Sequence, residues 1–187
     1  MTVQSRHFAP GLLAALILLF CASAAMAAGA WRENQVKAAF LHHFAQFTEW
    51  PPGALGAEDE PFLLCILGKH PSDEDLAPLE GRRIQGHPLE VRRIHRIEEG
   101  LDCQLLYIEA CDRHLQDLSP LQGRAVLTVS NEKGFAARGG MIGLVAVDGK
   151  FKFEINRSAV GRSGLSLSAQ LLDLATLVGS DNQGEEP

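Results

Sequence analysis

The spacing of hydrophobic residues changes along this chain, and each spacing predicts a different element. Between residues 36 and 47, apolar positions recur every three or four residues, which is the period of an amphipathic α-helix. The residues on this stripe are Val36, Ala39, Phe40, His43, Phe44 and Phe47. The helix is expected to end before Trp50, because Pro51 and Pro52 follow and proline disfavours helical backbone at the preceding residue.

Three largely apolar segments of strand length follow this helix and predict buried strands; the first of them is apolar throughout. They lie at 62–67, 104–108 and 125–129. Short helices are expected at 73–79 and 112–118, and an alternating, half-exposed hairpin at 81–94. Strands that alternate with short helices are typical of an α/β fold, here a single-domain sandwich with a central mixed, partly parallel sheet flanked by helices.

The C-terminal part of the chain predicts a hairpin. Asp148-Gly149 is a two-residue type I′ turn signal between strand-like segments at 141–147 and 150–156. In the second segment apolar residues alternate with charged ones. One face of this strand should therefore be buried and the other exposed to water.

A final helix is expected after the hairpin, with Ser166 or Ser168 as its N-cap. The residues expected to face the core are Leu167, Leu171, Leu174 and Ala175. The segment 179–187 is polar and is expected to be a frayed tail.

The first 27 residues have the pattern of a secretory signal peptide. Arg6 precedes an apolar run at 11–20, and small residues follow it up to an A-x-A site that ends at Ala27. The alternative is a signal anchor, because 11–30 carries no charge and has roughly the length of a membrane span. We expect cleavage after Ala27, which leaves one domain at 28–178 and the polar tail.

Composition and cysteine number narrow the classes of function. The chain has 17 Lys and Arg against 23 Asp and Glu, and its basic residues form no cluster larger than a pair, so nucleic-acid binding is not expected. Three cysteines follow the expected cleavage site: Cys65, Cys103 and Cys111. An odd number indicates one disulfide and one free thiol, or three buried thiols. A Cys65–Cys103 bridge is feasible if their two strands are neighbours in register.

The residues show no recognisable catalytic, cofactor or metal site. His42 and His43 are adjacent on the predicted helix and point about 100° apart, so they do not share one ligand face. The remaining histidines lack zinc spacing, and neither a G-x-S-x-G elbow nor a phosphate-binding glycine motif is present. Ser130 is expected to cap the turn that follows its strand.

Several segments, taken in order, resemble the YfiR (YfiR/HmsC-like) family. The first is the helix VKAAFLHHFAQFTEWP, and two cysteine-bearing strands follow with Cys65 and Cys103. The next pieces read LTVS, GF, GGMI and FKFEIN, and GLSLS closes the series. The resemblance spans nearly the whole chain after the signal peptide. Its cysteine positions imply the Cys65–Cys103 disulfide, whereas Cys111 has no match and the second cysteine pair of some members is absent.

The resemblance implies a regulator without enzymatic activity or cofactor. Proteins of this family are periplasmic and repress a membrane diguanylate cyclase by contacting its periplasmic sensor region. An OmpA-like outer-membrane lipoprotein sequesters them in turn. Cyclic di-GMP and biofilm formation fall when the repressor is free, and a homodimer is expected.

Four residues are the candidates for contact with a partner: Trp50, Phe135, Arg138 and Arg157. Trp50 is a large aromatic residue held by two prolines, and such residues often anchor interfaces; packing against the core is the alternative. Phe135 lies between glycine-bearing turns, and the two arginines flank that region. A second hypothesis is a periplasmic small-ligand-binding module that uses an apolar, glycine-rich surface around Phe135 and Met141. A third is an enzyme whose site leaves no recognisable spacing.

Overall fold

The computed structural model describes residues 35–68, 79, 81–109, 117–147 and 150–179. The predicted signal peptide, the Asp148-Gly149 turn, and nearly all of the two short helices and the tail lie outside these residues.

The described elements alternate between strands and short helical segments. Helix α1 covers 35–46. The strands are β1 (Thr48–Glu49), β2 (Phe62–Leu67), β3 (Arg83–Ile84), β4 (His87–Ile94), β5 (Leu105–Ile108), β6 (Leu127–Ser130), β7 (Ile142–Val147), β8 (Lys150–Asn156), β9 (Ser166–Leu167) and β10 (Thr176–Val178). The remaining elements are the helices α2 (Arg157–Arg162) and α3 (Ala169–Asp173) and 3-10 turns at Ile97–Gly100 and Ser119–Leu121.

Eight of the strands form one mixed sheet in the order β10-β8-β7-β6-β5-β2-β4-β3. The five central strands run parallel to one another, in the order β4, β2, β5, β6 and β7. The pairs β3–β4 and β7–β8 are antiparallel, as expected for hairpins. The predicted α/β class and partly parallel sheet are confirmed, and β1 with β9 adds a small antiparallel pair outside the main sheet.

Both faces of the central strands are buried. In β2, Leu64 and Ile66 belong to the core on the α1 side, whereas Cys65 and Leu67 belong to a second core on the opposite side. We call these the helix-side core and the turn-side core. Two-sided burial explains why β2 and β5 are apolar at every position, because neither face of these strands contacts bulk water.

Helix α1 covers the helix-side core with a face that differs from the predicted one. Ala38, Leu41, Phe44 and Ala45 are buried, whereas His43 is exposed and stacks on Phe47. The prediction that His43 lies on the buried stripe is wrong. The helix is apolar around much of its circumference, so its spacing predicted the helix without fixing which face turns inward.

The turn between β3 and β4 caps the C-terminal end of α1. Gln85 adopts a positive φ of 48°, and its side-chain amide donates to the carbonyl of Thr48 at 2.6 Å. The same amide lies 3.3 Å from the carbonyls of Ala45 and Gln46. Carbonyls in the last turn of a helix have no partner within the helix, and this side chain supplies one from a distant hairpin.

The C-terminal region differs from the predicted structure in two respects. The predicted final helix is only the five residues of α3, capped by Ser168, whose hydroxyl accepts from the Leu171 amide. Leu167 lies in β9 instead, and Leu174 is 72% exposed, so the prediction that Leu174 faces the core is wrong. The chain leaves the helix at this point to add β10 beside β8.

Replacement of Gln85 tests the cap on α1. Gln85→Ala removes the amide but keeps a Cβ at positive φ, so we expect it to lower the free energy of unfolding by about 1–2 kcal/mol. Gln85→Gly also removes the cap but relieves the strained backbone, so it should cost less. Urea denaturation measures both, and a Gln85→Ala variant as stable as the wild type would contradict the cap.

Candidate functional site

The disulfide predicted between Cys65 and Cys103 is present, and it belongs to the turn-side core. Cys65 lies in β2, and Cys103 lies two residues before the neighbouring strand β5; their Cα atoms are 6.0 Å apart. Both residues are buried, at 0% and 2% exposure. The bond links positions 38 residues apart, and cross-linking a loop of that length stabilises a fold by about 4 kcal/mol.

Trp50 is half-buried and packs against the helix-side core. Its ring meets Phe62 edge to face, with centroids 5.3 Å apart. The indole Nε1 is buried and has no hydrogen-bond partner among the described residues. Trp50 therefore packs mainly against the core, and only the exposed part of its ring can contact a partner.

Phe135 is buried, at 2% exposure, and belongs to the turn-side core. Its ring lies against Gly140 so closely that a Cβ at that glycine would overlap the ring atoms. Met141 is also buried, at 5% exposure. Phe135 therefore does not contribute to the expected apolar, glycine-rich surface, because its ring packs into the turn-side core and anchors the segment 131–140 there. Met141 lines a cleft that is described below.

Polar side chains of the sheet form hydrogen bonds with the segment 131–140, which we call the 131–140 turn. The buried hydroxyl of Ser130 accepts a hydrogen bond from the Glu132 amide at 3.0 Å, which confirms the predicted turn cap. Asn156 donates to the carbonyl of Ala136 and accepts from the amide of Ala159, both at 2.9 Å. One asparagine thus joins the turn to α2.

The two predicted arginines lie on the surface around Asn156. The Arg138 side chain is 37% exposed; it pairs with Glu132 at 2.7 Å and donates to the carbonyl of Lys133 at 2.8 Å. Arg157 is exposed at the first position of α2, and among the described residues it has no hydrogen-bond or ion-pair partner. Phe135 and Arg138 therefore face opposite sides of the same turn.

A cleft of about 930 Å³ opens beside this surface. Its described lining comes from three parts of the chain: the loop 117–123, Thr128 with the end of the 131–140 turn, and the C-terminal half of α2. Sequence reasoning missed the cleft because no motif spans these segments. The one local signal for α2 was Asn156, a residue type favoured at N-caps.

Neighbouring groups lower the pKa of two side chains, Asp117 and His42. Hydrogen bonds from the backbone amide and the hydroxyl of Ser119 lower the pKa of Asp117, at the edge of the cleft. Partial burial, and then the nearby charges of Arg82 and His43, lower the pKa of His42. Within the described residues, no group of His, Cys, Asp and Glu is arranged to hold a metal ion.

Two comparisons with known proteins concern the chain as a whole. A family model described as YfiR/HmsC-like matches residues 34–176, from α1 to the start of β10. No curated protein matches the chain. Among the described helices, none is long and apolar enough to cross a bilayer.

The contact between Phe135 and Gly140 yields a stability test. Gly140→Ala places a methyl group inside the Phe135 ring, so we expect a loss of about 2–3 kcal/mol in the free energy of unfolding. Gly161→Ala is the matched control: a Cβ there meets nothing within 4 Å, and alanine favours a helix over glycine, so stability should rise slightly. Equal stability of the two variants in urea denaturation would contradict the packing of Phe135 on Gly140.

Proposed function

The chain belongs to the YfiR/HmsC-like family, and from this premise we propose that it is a periplasmic negative regulator of a membrane diguanylate cyclase. It would bind the periplasmic sensor region of the cyclase and hold the enzyme in its inactive state. Free regulator would thereby lower cyclic di-GMP and biofilm formation.

The observation that carries the proposal is the extent of the family match. It covers residues 34–176, and so includes α1, the strands from β1 to β9, α2 and α3. The family is regulatory rather than catalytic, so we propose that the chain acts by binding and not as an enzyme.

We also propose that the protein is exported to the periplasm. The family is periplasmic, and residues 1–27 would serve as the signal peptide ahead of a domain at 28–178. The buried Cys65–Cys103 disulfide supports this location, because such bonds persist in oxidising compartments such as the periplasm.

Two further partners follow from the resemblance alone. An OmpA-like outer-membrane lipoprotein would sequester the regulator and so release the cyclase. The regulator itself would form a homodimer.

We place the contact with the cyclase at Arg138, Arg157 and the exposed part of Trp50. The two arginines are accessible, and the hydrogen bonds of Asn156 fix the turn that carries Arg138 and the helix that carries Arg157. Since the chain as a whole is acidic, with a net charge of −6, exposed arginines on a rigid surface favour an acidic patch on the partner.

A gene deletion tests the regulatory role. We expect cyclic di-GMP to rise when the gene is removed and to return to its starting level on complementation. In a strain that also lacks the partner cyclase, the same deletion should have no effect. Unchanged cyclic di-GMP in the presence of an intact cyclase is the outcome that overturns the proposal.

Charge reversal tests the proposed surface. Arg138→Glu combined with Arg157→Glu should weaken binding to the purified periplasmic region of the cyclase about tenfold or more, since repulsion replaces attraction. Arg92→Glu combined with Arg96→Glu is the matched control, because it changes the net charge equally. Both arginines also pair with a glutamate, at 3.1 and 3.0 Å, and are exposed, but they lie in and just after β4, near the far edge of the sheet. An equal loss of affinity in both variants would show that the effect is one of net charge and not of this surface.

A further inference from the structure

The cleft beside α2 has the dimensions of a small-molecule site. Its volume of about 930 Å³ lies within the range of about 300–1,000 Å³ that is typical of ligand pockets. Thr128 of β6 and Met141, two of its lining residues, are joined by a hydrogen bond from the Met141 amide to the Thr128 hydroxyl at 3.1 Å. This bond fixes Met141 to the central strand β6.

Three side chains that line the cleft hold hydrogen-bond donors without acceptors among the described residues. Arg162 is exposed at the end of α2 and has no hydrogen-bond or ion-pair partner there. Ser163 is only 7% exposed, and its hydroxyl bonds to none of the described groups. Thr128, at 3% exposure, accepts from Met141 but donates to no described acceptor. The Arg162 guanidinium and these two hydroxyls can therefore donate to a group that enters the cleft.

The charge balance of the cleft favours an anion. Arg138 lines it as well and, with five N–H donors, keeps some free after its bonds to Glu132 and Lys133. The acidic residue in the described lining is Asp117, whose two carboxylate oxygens already accept from the amide and hydroxyl of Ser119. The described lining therefore carries two guanidinium charges against one carboxylate.

The rest of the lining is apolar, from Leu118, Leu121, Met141 and Ala159. We propose that this cleft binds a small amphipathic anion: one carboxylate or phosphate group held by Arg162, Ser163 and Thr128, with an apolar body against these side chains. The inference goes beyond the proposed function and is independent of the identity of the cyclase. Because Arg138 belongs to both surfaces, a bound anion would also compete with the protein partner.

Calorimetric titration of the purified mature protein tests the site. The probes are 3-phenylpropionate, phenyl phosphate, the neutral 3-phenylpropanamide and inorganic phosphate. We expect at least one organic anion to bind and the neutral amide to bind at least tenfold more weakly. The tighter of the two organic anions identifies the carboxylate or phosphate as the preferred group.

Variants assign the binding to the cleft. Arg162→Gln should weaken binding of the organic anion about tenfold, because a hydrogen bond to a charged group is lost. Ser163→Ala should weaken binding less. Arg157→Gln is the control on the same helix, because Arg157 is exposed but is absent from the described lining. Thermal denaturation checks that all three variants fold.

Three results would overturn the proposal. The first is that neither organic anion binds at millimolar concentration. The second is that inorganic phosphate binds as tightly as phenyl phosphate, which removes the role of the apolar wall. The third is that Arg157→Gln weakens binding as much as Arg162→Gln, which places the anion outside the cleft.

Discussion

Burial of both faces of the central sheet is the constraint on which the rest of this structure depends. Side chains of β2 and β5 alternate between the helix-side and turn-side cores, so neither face can be left in contact with water. Helix α1 covers one face, together with buried residues of α2 and α3. In the described chain, two 3-10 turns and the Phe135 side chain cover the other, and the Cys65–Cys103 bond holds its centre.

The covering of the turn-side core also shapes the candidate functional surface. The 131–140 turn points Phe135 inward and leaves Arg138 outside, so packing on one side holds a charged group on the other. Asn156 extends this rigidity to α2, which carries Arg157 at its start and Arg162 at its end. Neither the proposed partner-binding surface nor the proposed ligand cleft needs a catalytic group, which agrees with a family of regulators.

Sequence patterns predicted those parts of the fold whose signal is local. The run 62–67 is apolar at every position because β2 is buried on both faces, and its observed bounds are the predicted ones. The buried face of α1 was not predictable, because the helix is apolar on more than one side. Leu174 was misplaced because α3 ends early in favour of an edge strand. The cleft depends on three segments far apart in the chain, and no spacing within one segment reveals it.

The central claim is that this chain regulates by binding a partner through the surface of the 131–140 turn and α2. Amide hydrogen exchange, measured on the mature protein alone and saturated with the periplasmic region of the cyclase, tests it most directly. The account predicts slower exchange on binding at 131–140 and 157–163, with 83–94 unchanged. Protection confined to 83–94, at the opposite edge of the sheet, would contradict it.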